Sequence, residues 1–229
     1  MKEKKNFNNP VWLALEETHK NYTIDYENAK FYLPEYCPFG SFNNSKNIQT
    51  AMDAYSKLTS DFFIVGKEAP NHSNNISLEG EYACKQMALT KNDFKIPKYT
   101  ATIKKLTKED EQKVYDLIML VMPGTYREKS FNVGDYYGIF NNDQLVSVTG
   151  ERIQGNDFIE VSGVVTHPDF TRKGFAKQLV AKTSEQILAK NKTPILHVLE
   201  INEGAIKLYE QLGFKSIDQI YWRHYTKAN

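Results

Sequence analysis

The sequence is short of the residues that would commit it to several common roles. Cysteine occurs twice in 229 residues, at Cys37 and Cys84, with no C-x-x-C and no pairing pattern. A disulfide framework and a zinc site are both excluded as organising features. Charge of one sign is also lacking, since 29 Lys plus Arg face 28 Asp plus Glu for a formal net charge of +1. No global field draws this chain to nucleic acid or to an anionic membrane. Long apolar runs are missing too: the longest, Leu117 to Met122, is far short of a membrane span. The start, MKEKKNFNNP, has charges but no apolar stretch after them, so no signal peptide is read and the cytoplasm is the expected location. What remains is an ordinary globular composition, 41% hydrophobic and 25% charged, in a chain long enough to bury a real core.

The first 95 or so residues carry few signals. Asn9-Pro10 predicts a helix through Leu15, because proline suits a first turn. A second helix is expected over Ile48 to Leu58, and strands over Phe62 to Val65 and Tyr82 to Leu89, with NHSNN (71–75) as a loop. TKNDFKIPKYT (90–100) reads as a linker by its polarity and its proline. The division expected is an accessory region, 1–97, and a catalytic domain, 98–229.

From residue 101 the pattern sharpens. Thr102 to Leu106 reads as a short strand, and Thr107 caps a helix with Val114, Leu117, Ile118 and Val121 at helical spacing. Strands follow at Tyr136–Phe140, Leu145–Ile153 and Phe158–Thr166, separated by the turns Asn141-Asn142-Asp143 and Gly155-Asn156-Asp157. A helix from about Lys173 to Ala189, a strand Ile195–Leu199, a helix Ala205–Leu212 and a strand near Ile217–Tyr225 complete the order β-α-β-β-β-α-β-α-β. That order predicts an α/β (α+β) fold with a mixed sheet covered by helices.

The stretch THPDFTRKGFAKQL (166–179) joins a strand to a long helix through two cations, a glycine and an alanine. The first amides of a helix have no partners inside it and carry partial positive charge, so a turn that aims them at an anion binds it. Glycine lets the backbone approach closely. Alone, such a turn is usually only a turn.

It does not stand alone. Strand, TRKGFA and amphipathic helix resemble the acyl-CoA signature of the GNAT acetyltransferase superfamily, Arg/Gln-x-x-Gly-x-Gly/Ala. Asn202, Ala205 and Tyr209 resemble its Asn-x-x-Ala-x-x-x-Tyr, and LYEQLGF (208–214) its usual continuation. VVTHPDF, PILHVLEIN and the early NPVW most resemble the branch that includes glycine N-acyltransferase-like proteins. The match covers roughly residues 101–226. One position departs: the signature's first residue, usually Arg or Gln, is Thr171 here, which weakens the frame of the loop but not its backbone donors.

The resemblance implies a GNAT-like fold, a mixed, mostly antiparallel sheet with flanking helices, preceded by a smaller N-terminal α/β region or a worn second lobe. It implies acetyl-CoA as cosubstrate with no metal, and transfer of the acetyl group to a primary amine, on a small molecule, in a ternary complex. Val164, Val165 and Thr166 would pair through their main chain with the pantetheine arm, and an N–H near Val164 would face the thioester oxygen. Thr171, Arg172, Lys173, Gly174, Phe175 and Ala176 would hold the diphosphate. Asn202 and Ala205 would shape the strand–helix junction, and Tyr209 would protonate the departing sulfur.

The nucleophile is the harder half of the reaction. An amine with a lysine-like pKa of about 10.4 is neutral only about one part in a thousand near pH 7, so freeing its lone pair costs roughly 4–5 kcal/mol. Glu160, fourteen residues before Gly174, is the expected base, at the offset the histone-acetylating branch uses; Glu151 is the rival. His167, before Pro168 in a turn, and His197, inside a strand, read as structural. The acceptor is expected to be selected by the N-terminal half, by Pro123 to Phe131, and by Tyr221, Trp222 and Tyr225. The competing expectation is a CoA-binding regulatory protein without turnover; a nucleic-acid module fits poorly. A monomer or homodimer is expected.

Overall fold

Helix α1 (Pro10–Glu16) begins where Asn9 caps it, its Oδ1 accepting from the Trp12 N–H at 3.3 Å, with Pro10 in the first turn. The computed structural model of the chain describes residues 7–228. Three short strands follow that the sequence did not predict: β1 (Thr23–Asp25), β2 (Ala29–Tyr32) and β3 (Phe39–Phe42). Helix α2 (Ile48–Tyr55) ends three residues before the expected Leu58, strand β4 (Asp61–Gly66) runs one residue beyond each end of the expected Phe62–Val65, and β5 (Ile76–Ala88) starts six residues before the expected Tyr82. Residues 90–100 form no helix or strand.

The remainder follows the predicted order. The strand expected over 102–106 is reduced to β6 (Lys104–Lys105). Thr107 and Asp110 form a capping box ahead of α3 (Glu111–Val121), the Thr107 N–H donating to Asp110 Oδ2 at 3.0 Å. Strands β7 (Tyr136–Asn141), β8 (Gln144–Gln154) and β9 (Phe158–Thr166) form a meander. Helix α4 (Phe175–Ala189) starts two residues later than expected. Then come β10 (Thr193–Leu199), α5 (Glu203–Leu212) and β11 (Lys215–Lys227).

All eleven strands join one sheet in the order β1-β2-β3-β4-β11-β5-β10-β9-β8-β7-β6. Only β3/β4 and β9/β10 pair in parallel. This is the mixed, mostly antiparallel α/β sheet that the sequence predicts, with α1 and α3 on one face and α2, α4 and α5 on the other. Strand alternation shows the division: Phe63 and Val65 of β4 pack with α1, while Phe62 and Ile64 pack with α2. Likewise Phe158 and Ile195 face α1, while Ile159, Val161, Leu196 and Val198 pack with Val180, Ala181 and Ile187 of α4.

Two features position the site. Strand β5, from the N-terminal half, lies between β10 and β11, pairing with β11 from Ile76 to Ala88 and with β10 from Cys84 to Ala88. Strands β9 and β10 pair only from Thr193↔Phe158 to Ile195↔Glu160 and then part. A bulge marks the divergence. Between Val148 and Gly150 of β8, β9 spends one residue more, Val165 back to Ser162, and Gly163 there sits at φ +60. A left-handed residue at that bulge is the reason for glycine.

Candidate active site

The parted strands form a fork whose inner main chain, from Val161 on β9 and Leu196 on β10, has no sheet partner across the gap. The fork opens into a cleft of about 510 Å³, within the usual range for a small-molecule site. Its walls include Ser162, Gly163 and Val164 of β9, Ala176 of α4, and Asn202, Ala205 and Tyr209 at α5. The two sequence motifs, thirty residues apart, therefore meet in one cavity.

At its α4 end the loop has alternating handedness, with Arg172 at φ +60 and Gly174 at φ +74. Among the described residues no backbone partner serves the N–H groups of residues 172–177; the first satisfied amide is Gln178, which donates to Gly174 O at 3.3 Å. Free amides at a turn and a helix start carry partial positive charge and can accept an anion. A Cβ added at Gly174 would meet nothing closer than Gln178 Nε2 at 3.9 Å, so the glycine leaves open space on that side of the loop. Arg172 and Lys173 are exposed beside it, and Phe175 is half-buried against the core.

Thr171 frames the loop by a route the sequence did not disclose: its hydroxyl donates to Pro168 O at 3.1 Å. A second support comes from Gln178. Its Oε1 accepts from the N–H groups of Thr100 and Ala101, at 2.6 and 3.1 Å, and its Nε2 donates to Gly174 O at 3.3 Å. This buried amide ties the 90–100 segment to the loop. His167 accepts from the Asp169 N–H at 3.3 Å, a turn cap.

Tyr209 is buried, lines the cleft, and makes no hydrogen bond through its hydroxyl among the described residues. Burial raises its pKa to about 12, so it stays protonated at neutral pH. Asn202 caps α5, its Oδ1 accepting from the Ala205 N–H at 3.1 Å. Val165 is core, and Thr166 Oγ1 lies 2.7 Å from Ser147 Oγ; neither is a cleft wall.

The two glutamates part company. Glu151 is buried away from the cleft, accepting from Lys190 Nζ at 2.7 and 2.9 Å and from the Asp135 N–H at 3.3 Å. Glu160, 1% exposed, accepts two parallel bonds from Arg152, Nε at 2.8 Å and Nη2 at 2.9 Å, and lies 2.7 Å from His197 Nδ1. Burial alone would raise its pKa, but Arg152 and the bond from His197 outweigh that and lower it to about 2. A carboxylate so held, with both oxygens engaged, is a poor proton acceptor for an ammonium ion. The Arg152 guanidinium stacks between Phe39 and Trp222, 4.5 and 5.1 Å from the ring centroids.

Arg152, His197 and Trp222 also line the cleft, with Phe63, Tyr82 and Cys84 from the N-terminal half and Met122, Pro123 and Thr125 after α3. Of the aromatics flagged for the acceptor, Trp222 reaches the cleft, and Tyr225 is buried in the α2 core instead. Arg152 and Gln178 carried no local signal; each acts on residues distant in the chain. Both thiols are pushed up to about 12, chiefly by burial, and so stay protonated. Among the described residues no cluster of three or more His, Cys, Asp or Glu has the geometry of a metal site, and no helix is long and apolar enough to cross a membrane.

Comparison with known proteins agrees with this architecture. Residues 136–223, which hold β7 through most of β11, match the family described as FR47-like protein. No curated protein matches the sequence. A protein from Novosphingobium aromaticivorans assigned to the GNAT acetyltransferase family superposes with a TM-score of 0.85 at 23% identity, over 99% of this chain and 100% of that one. A GCN5-related N-acetyltransferase from Kribbella flavida gives 0.67 at 12% identity, over 98% and 97%. A GCN5-related N-acetyltransferase-like protein from Streptococcus suis gives 0.63 at 14%, over 95% and 93%. Residues 136–223 are thus FR47-like in sequence, and the chain along its length has the fold of the GNAT acetyltransferases.

Proposed function

We propose that this chain is an acyl-CoA-dependent N-acetyltransferase, moving the acetyl group of acetyl-CoA to a primary amine of a small molecule in a ternary complex. The observation that carries the reading is the fork: β9 main chain without a partner across the gap leads into a loop and first helical turn whose six amides, 172–177, have no partner among the described residues, beside a protonated tyrosine. The amides of residues 172–177 would receive the diphosphate, and the main chain of Ser162 to Val164 would bond the pantetheine amides as an added strand. An N–H near Val164 would stabilise charge on the thioester oxygen.

Tyr209 would supply the proton to the thiolate as the C–S bond breaks, which its raised pKa equips it to do. Glu160 keeps a place in the site as the anion that organises Arg152 and His197. Residues 1–97 would act as an acceptor-side wall through Phe63, Tyr82 and Cys84, with 98–229 holding the cosubstrate. The phrases VVTHPDF and PILHVLEIN favour the glycine N-acyltransferase-like branch and hence a small-molecule acceptor.

The test is calorimetric titration with acetyl-CoA, followed by a free-thiol screen of primary amines with acetyl-, propionyl- and succinyl-CoA. Binding plus amine-dependent thiol release is expected. Binding without release from any amine would leave a CoA-binding regulator; no binding would overturn the reading altogether.

A further inference from the structure

Arg152 has donors to spare. It lies on β8, which β9 separates from the fork, so it borders the cleft through its side chain, which is 11% exposed. A guanidinium carries five N–H donors, and Glu160 takes one from Nε and one from Nη2. No described residue accepts from Nη1, and Nη1 is not sealed from solvent. The Nη1–Nη2 end is therefore open, a rigid fork shaped for a second pair of oxygens.

The surroundings of that end are apolar. Arg152 is the one permanently charged side chain among the described residues that line the cleft, and no aspartate or glutamate lines it. Phe63 of β4, Tyr82 of β5, Trp222 of β11, and Met122 and Pro123 after α3 make the wall beside it. A second cation, as in a polyamine or a lysine-rich acceptor, would meet Arg152 with no counter-charge in the lining. A carboxylate attached to an apolar body matches both features.

We infer that the acceptor is an amino acid with a bulky apolar side chain, its carboxylate bound by the open end of Arg152 and its side chain laid on the Phe63–Trp222 wall. This rests on the acyl-transfer reading above and names the substrate class for it. Glu160 offsets the cost of keeping a cation in the site and fixes the plane of the fork, and Phe39 and Trp222 pack against it. A fork so placed discriminates by charge: a neutral amide or a hydrogen in place of the carboxylate leaves its donors poorly paired.

The experiment compares matched acceptors on the wild type in the thiol-release assay: L-phenylalanine, L-phenylalaninamide, phenethylamine and glycine. The kcat/KM for phenylalanine is expected to exceed those for its amide and for phenethylamine by about 10- to 100-fold, the worth of a hydrogen bond to a charged group. It should exceed that for glycine by about 10-fold or more, because the ring leaves water for the wall. Equal values for acid and amide overturn the carboxylate site, and equal values for phenylalanine and glycine overturn the role of the wall. The double variant Arg152→Met, Glu160→Gln removes both charges and strands neither, and its acid-over-amide ratio should collapse to about twofold or less. A ratio kept at the wild-type value overturns the assignment to Arg152. A readout independent of turnover is calorimetric titration of the wild type, with CoA present, by N-acetylphenylalanine and by its amide. The acid should bind about 10- to 100-fold more tightly; equal affinities, or no binding of either, overturn the proposal. If no amine in the wider screen releases thiol, the transferase reading fails, and this titration alone decides whether the cleft takes a carboxylate.

Discussion

The buried Glu160–Arg152 pair makes a quantitative claim about acid stability. Glu160 is lowered from an ordinary 4.5 to about 2, which corresponds to about 3 kcal/mol of stability at neutral pH. Because its folded pKa is depressed, that contribution is complete above about pH 5 and is lost as pH falls from about 4.5 toward 2. Linkage gives a loss of about 2 kcal/mol by pH 3. Glu160→Gln removes this titration and strands the Arg152 charge in a buried site, which costs about 3–5 kcal/mol at pH 7. Asp93, Asp135 and Asp218 also have lowered pKa values, but both proteins carry them, so they cancel in the difference. Urea denaturation followed by circular dichroism at pH 7, 5, 4 and 3 measures that difference, which should shrink by about 2 kcal/mol across the series. Arg152→Met should reverse the sign. Without its counter-charge, buried Glu160 has a raised pKa, so this variant gains stability relative to wild type as pH falls toward 4. Parallel pH curves for wild type and Glu160→Gln would refute the reasoning, because the pair would then carry no differential charge.

Three further outcomes follow from the cleft. Tyr209→Phe should lower kcat about 10- to 100-fold in the thiol-release assay, with melting temperature and acetyl-CoA affinity unchanged, since the hydroxyl holds no structural bond. Gly163→Val forces a β-branched residue into φ +60 and should cost about 1–2 kcal/mol in urea denaturation, with weaker acetyl-CoA binding by calorimetry. Gln178→Leu leaves the Thr100 and Ala101 N–H groups without their acceptor. It should cost about 1–3 kcal/mol and weaken acetyl-CoA binding, because Gly174 O loses a donor as well.

What the sequence disclosed follows the reach of each interaction. Strand β9 was predicted to its end residues because Gly155-Asn156-Asp157 and Pro168 bracket a stretch rich in valine, isoleucine and phenylalanine. Strands β2 and β3 were missed because each is four residues long and buried on both sides, so no alternation shows. The first half of β5 was missed for the opposite reason: Leu78 to Glu81 is largely exposed and charged. The fork was legible only through motifs, since no local pattern states where two strands stop pairing. His197 was read as a strand residue, which it is; what sets it apart is a carboxylate 37 positions earlier. The same holds for Arg152, which no neighbour in sequence explains.

Strand β5 fills the slot between β10 and β11, and this has a consequence for biogenesis. A fragment beginning at residue 98 would leave β11 without either neighbour and β10 with one raw edge, and would open the cleft wall formed by Phe63, Tyr82 and Cys84, so it should be insoluble when expressed by itself. Supplied separately, the first 97 residues would act as a donor strand, and the two pieces should recombine into one working molecule.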